Sequence, residues 1–65
     1  MKLRQIRESK NLSQSELANK MGVDQSAVAQ WETNRTMPTY SNLIKLCKVL
    51  GCSISELTES AEEIA

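Results

Sequence analysis

The stretch Leu12–Trp31, LSQSELANKMGVDQSAVAQW, decides the fold. Ser13 and Glu16 have the spacing of a capping box, in which the hydroxyl accepts the Glu16 amide and the carboxylate reaches back to the Ser13 amide. Leu12 stands where an apolar residue staples the chain as it enters a helix. Leu17, Ala18 and Met21 recur at helical spacing, and Gly22 follows as the residue best suited to positive φ. Asp24 predicts the N-cap of a second helix from Gln25 to about Glu32. Because only Gly22, Val23 and Asp24 lie between the two helices, they must cross steeply. Val28 and Trp31, three apart, face inward, which leaves Gln25, Ser26, Ala29 and Gln30 wholly or partly on other faces.

Working outward, helical periodicity continues on both sides and no strand is predicted. A first helix is expected from about Lys2 to Lys10, with Leu3, Ile6 and the stem of Lys10 on one face and Asn11 as a left-handed cap. Beyond the polar loop Thr33 to Pro38, Thr39 caps a helix carrying Leu43, Ile44, Leu46, Cys47 and Leu50 up to Gly51. Ser53 and Glu56 repeat the capping-box spacing ahead of Ile54 and Leu57. The expected architecture is therefore all-α and compact, five helices in one domain over residues 1–58, with an acidic tail over 59–65 that continues the helix or frays.

Composition narrows the function. A chain of 65 residues holds one core and no cleft between domains. It has no His, and Cys47 and Cys52 are its only thiols, too few ligands for structural zinc; no metal and no cofactor are expected. The two cysteines lie in an apolar stretch with no secretory signal ahead of them, as reduced thiols of a cytoplasmic protein would. No apolar run approaches the ~20 residues that cross a bilayer, so no membrane partner is expected. Without a His, a Gly-rich phosphate loop or a carboxylate pair in a pocket, neither an enzyme nor a small-molecule substrate is expected. Net charge is zero but unevenly spread. Met1–Pro38 carries six cations against four carboxylates, a balance of +2, and the remainder two against four, a balance of −2. One end can face phosphates while the other avoids them.

A capped helix, a Gly-containing turn and a second helix with a polar outer face follow the helix-turn-helix plan, in which the second helix enters the major groove by its N-terminal residues. Gln25 and Gln30 carry primary amides, whose paired donor and acceptor match the N6 and N7 edge of adenine. Glutamine on a helix is otherwise a solvated surface residue. Ser26 can bond a base or a phosphate, and Ala27 or Ala29 can touch a thymine methyl. Gln14, first in its helix, lies near the start of the next one, where it can bond a phosphate and brace the Gln25 amide; the free backbone amides there also suit a phosphate.

The segment LRQIRESKNLSQSELANKMGVDQSAVAQWETNRTMPTYSNLIKLCKVLGCSISEL resembles the lambda-repressor/Cro family of helix-turn-helix domains, the regulators of xenobiotic-response-element type. The likeness runs from Leu3 to Leu57 and is most specific in LSQSELA, MGVDQSAVAQWE and LCKVLGCSISEL. It implies that Gln14 contacts phosphate and supports Gln25, that Gln25, Ser26 and Gln30 read bases, and that Ala27 makes an apolar contact. It implies an ion pair between Arg7 and Glu32, whose alternative reading as exposed charges would contribute only ~0 to 1 kcal/mol. It also implies that the loop Asn34, Arg35 and Thr36 tracks the phosphate backbone. Arg35 is the one cation there, without a carboxylate neighbour in sequence. Tyr40, at the start of the fourth helix, either extends that track or packs on the core rim. Asn34 departs from the family's common Gly, and Cys47 and Cys52 from its usual Ala and Val. The loop and third helix are also poor in Lys and Arg.

The expected function is sequence-specific binding of double-stranded DNA by a transcriptional regulator, a repressor, in the bacterial or phage cytoplasm. The alternative is a protein-interaction module or antitoxin of the same fold. One domain covers a half-site of about four to five base pairs, so a homodimer on an inverted repeat is expected. Its patch would be Leu50, Cys52, Ile54 and Leu57, with Ile64 a further candidate, unless these residues close the core instead.

Overall fold

The computed structural model describes residues 1–58, which form five helices and no strand. They are α1 (Leu3–Ser9), α2 (Gln14–Met21), α3 (Gln25–Glu32), α4 (Tyr40–Leu50) and α5 (Ile54–Leu57). The tail 59–65 and Ile64 lie outside the described residues.

Local chemistry sets most of these boundaries. Ser13 closes its capping box on Glu16, with the Glu16 amide donating to Ser13 Oγ at 3.0 Å and the Ser13 amide to Glu16 Oε1 at 2.8 Å. The second box pairs Ser53 with Glu56 in the same way. Each box holds its glutamate below the ordinary carboxylate range, chiefly because the carboxylate accepts the serine amide. Thr39 Oγ1 accepts the Asn42 amide and starts α4. At the C-termini, Gly22 (φ 73°) and Gly51 (φ 68°) take the left-handed conformation that ends α2 and α4. Asn11 (φ 59°) and Asn34 (φ 60°) do the same after α1 and α3, as asparagine's short polar side chain allows.

Asp24 departs from expectation. Its backbone is extended, as an N-cap requires, but its side chain makes no capping hydrogen bond. Its charge still lies at the positive end of the α3 dipole.

The core draws on every helix: Leu3, Leu17, Ala18, Met21, Val28, Trp31, Leu46, Leu50 and Leu57 are buried together. α2 packs on α3 and α4, α1 on α3, and α5 on α4. The Lys2 amide donates to the Leu57 carbonyl at 2.8 Å and ties the start of the chain to α5. Two residues of the expected dimer patch are thereby corrected. Leu50 is 1% exposed and Leu57 is fully buried, so both close the core of this one chain and offer no surface to another. Cys52 and Ile54 are half-buried, and Cys52 packs against the core. That packing also raises the Cys52 thiol above its ordinary value, through burial first and the neighbouring Cys47 second, as befits an inert thiol.

Candidate nucleic-acid interface

The two sides of α3 differ because helical spacing separates them. Val28 and Trp31 point into the core, and Ala27, half-buried, packs against it too. The outer side carries Ser26, Ala29, Gln30 and Thr33, which with Arg35 line an open concavity. Ala27 and Ala29 are both half-buried, but Ala29 lines the concavity, whereas Ala27, one turn before Trp31, leans toward the core. Thr33 is a lining residue that sequence reading missed, although its spacing of seven from Ser26 places it on the same helical stripe.

Gln25, the first residue of α3, is exposed but not loose. Ser15 Oγ donates to its Oε1 at 2.8 Å, and its Nε2 donates to Gln14 Oε1 at 3.4 Å. A primary amide has two hydrogens and two acceptor sites. One of each is used inside the protein, so one of each remains for a ligand. Ser15 escaped sequence reading because its partner is ten residues away across the turn.

Gln14 in turn donates from Nε2 to Glu32 Oε1 at 3.0 Å. Glu32 closes α3 with its side chain fully buried, and Arg7 of α1 meets it there, itself 9% exposed at the side chain. Arg7 Nε donates to Glu32 Oε2 at 2.6 Å, its second terminal nitrogen to Oε1 at 3.3 Å, and its first to the Leu12 carbonyl at 2.6 Å. Arg4 Nε adds a longer contact to Glu32 Oε1 at 3.4 Å. This is a buried pair and not a surface one. Burial alone would raise the Glu32 carboxyl, but the hydrogen bonds from Arg7 and Gln14 and the charge of Arg7 outweigh it and hold the group below its ordinary range. The guanidinium of Arg7 is raised, first by the same hydrogen bond.

Gln30 lies one turn beyond Ser26, exposed, with its Oε1 near the Thr36 hydroxyl at 3.5 Å. The loop after α3 folds back on the helix end, since the amides of Arg35 and Thr36 both donate to the Gln30 carbonyl, at 2.9 and 3.5 Å. Left-handed Asn34 makes that reversal. It brings Arg35 and Thr36 beside the outer face of α3, with Pro38 buried as the anchor at the loop's far end. Tyr40 is 72% exposed on the first turn of α4, out in solvent and not on the core rim. Among the described residues no group of His, Cys, Asp and Glu could hold a metal, and no helix is long and apolar enough to cross a membrane.

This arrangement has known counterparts. A helix-turn-helix family model matches residues 3–57. The transcriptional activator BcrR of Enterococcus faecalis is 35% identical over 63 residues, covering 97% of this chain and 31% of BcrR. The transcriptional regulator PuuR of Escherichia coli is 37% identical over 62 residues, 95% of this chain and 34% of PuuR. Repressor protein C2 of Salmonella phage P22 is 36% identical over 52 residues, 80% of this chain and 24% of C2. The chain thus spans about a third of the length of BcrR and PuuR, and about a quarter of C2. No solved structure matches it significantly. With a match over nearly its whole described length, the chain belongs to the helix-turn-helix family of Cro/C1 type.

Proposed function

We propose that this domain reads a specific sequence of double-stranded DNA, with α3 as the helix that enters the major groove, and so regulates transcription, as a repressor where its operator overlaps a promoter. The reading is carried by Gln25: an exposed amide at the tip of α3, held by Ser15 and Gln14, with one donor and one acceptor left over. That pair fits the N7 acceptor and N6 donor of adenine. Ser26 and Gln30 continue the base-reading stripe along the same face, with Ala29 set to meet a thymine methyl. Arg35, Asn34, Thr36 and Tyr40 flank it as contacts to the phosphate backbone, and the second amide hydrogen of Gln14 suits the same role.

With Arg35 the one cation of that loop, the backbone supplies modest affinity. Specificity then calls for two copies on an inverted repeat, with half-sites about one helical turn apart. The relatives named as regulators include an activator and a repressor, which supports assigning the sign of regulation to the position of the operator. A protein-docking role would draw on the exposed apolar side chains of Met37, in the loop after α3, and Tyr40, at the start of α4, neither of which lines the concavity on α3.

Selection of bound duplexes from a random pool, at two salt concentrations, tests the reading. The expected result is an enriched inverted repeat whose binding weakens as salt rises. Enrichment of no sequence at either salt would overturn it.

A further inference from the structure

We infer that Glu32, the last residue of α3 with its side chain buried, sets the order in which the Gln25 amide presents its donor and acceptor to DNA, acting through Gln14. The inference rests on the DNA-reading role proposed above. An amide's oxygen and NH2 group are nearly the same size, so rotating the group by half a turn costs little by shape alone. Only its hydrogen-bond partners can decide which way it points.

Here the partners form a chain with one fixed end. Arg7 has donors only, and four nitrogens converge on the Glu32 carboxylate: Nε and a terminal nitrogen of Arg7, Nε of Arg4 and Nε2 of Gln14. An ionised carboxylate only accepts. Gln14 must therefore turn its NH2 toward Glu32, at 3.0 Å, which leaves its oxygen facing Gln25. Gln25 must answer with its own NH2, at 3.4 Å, and so keeps its oxygen on the Ser15 side. Ser15 can donate or accept, so its hydroxyl follows the order and does not choose it. The outer edge of Gln25 then shows donor and acceptor in one order only. Base pairs differ in the order of these groups along the major groove, so an amide free to turn would fit more than one of them. Glu32 is a positioning residue in this scheme and touches no base.

Glu32→Gln reverses the logic. The new side chain keeps its oxygen for Arg7 and turns its NH2 to Gln14, which must flip and carry Gln25 with it. Duplex selection with the wild type, Gln25→Ala, Glu32→Gln and Gln14→Met, each checked for folding by circular dichroism, tests the idea. Gln25→Ala identifies the base pair concerned. Glu32→Gln should then change the preference at that base pair by about fivefold or more, the low end of what one bidentate contact discriminates, and leave the ranking of bases elsewhere intact. Gln14→Met keeps the Arg7–Glu32 pair and serves if Glu32→Gln does not fold. It should weaken binding to all duplexes through the lost phosphate contact, and also relax the preference at that same base pair. If Gln14→Met, or a folded Glu32→Gln, retains the wild-type preference where Gln25→Ala loses it, the inference is wrong and the recognition role survives. If the wild type selects no duplex, or Gln25→Ala changes nothing, the recognition role fails first and the inference with it.

Discussion

The inner and outer faces of α3 belong to the same eight residues and answer to different demands. Inside, Val28, Trp31 and Glu32 are held by packing and by charge. Outside, Gln25, Ser26, Ala29 and Gln30 border solvent, with Thr33 just past the helix end in line with them. Changes on the inner face should be read out as folding, and changes on the outer face as binding. The exception is Glu32, whose buried carboxylate is linked to the outer amide of Gln25 through Gln14, so a change there should be read out in both.

The largest effects should fall on the inner face. Trp31→Ala removes an indole that is 5% exposed and should cost about 3 to 5 kcal/mol. A domain of this size has only about 3 to 10 kcal/mol in total, so urea denaturation should find the variant largely unfolded. Next comes Arg7→Met, which strands the Glu32 carboxylate in the interior. Its cost should be about 3 to 5 kcal/mol in the same denaturation, and adding Glu32→Leu should recover most of it, since a buried pair is far worse broken than replaced. An intact melting curve for Arg7→Met alone would mean that Arg4 and Gln14, or water, satisfy the carboxylate without Arg7.

Acid should act on the same pair. The Glu32 carboxyl lies below its ordinary value of 4.5 in the folded chain and returns to it on unfolding. The folded state thus binds that proton less readily than the unfolded state. The stabilisation is complete above the ordinary value and disappears as pH falls through the folded one. Glu16 and Glu56, lowered by their capping boxes, act with the same sign. Thermal melts between pH 7 and pH 3 should show a falling midpoint, and the fall should be shallower in the Arg7→Met/Glu32→Leu pair.

Smaller effects belong to the outer face. Gln25→Ala should cost about 1 to 3 kcal/mol of binding to the selected duplex and relax preference at one base pair, with denaturation unchanged within about 0.5 kcal/mol. Smallest is Arg35→Ala, which should weaken all duplexes alike and lower the salt slope of binding by about one. A base-dependent loss at Arg35 would move it from the phosphate track to the reading surface.

The helix limits were legible in the sequence because caps act over a few residues. Ser13 with Glu16, Ser53 with Glu56, Thr39, Gly22 and Gly51 each find their partners within a turn, and the structure places helix ends there. Gln14, Gln25 and Gln30 stood out for their chemistry and for their place around the turn. The bond from Ser15 to Gln25, the second arginine on Glu32 and the placing of Ala29 along the concavity with Ala27 toward the core were not legible. Each depends on how far one helix is rotated about its axis relative to the next.

What the sequence alone determined is the run of capped helices and the apolar stripe along each, because those follow from hydrogen bonds and periodicity within a single turn of chain. Only the tertiary structure decided that Leu50 and Leu57 face this chain's own core and that Arg7 is buried on Glu32. The same holds for the order of donors that runs from that pair to Gln25. Burial and the direction of a hydrogen bond are relations between segments far apart in sequence, and they exist only once the helices have crossed.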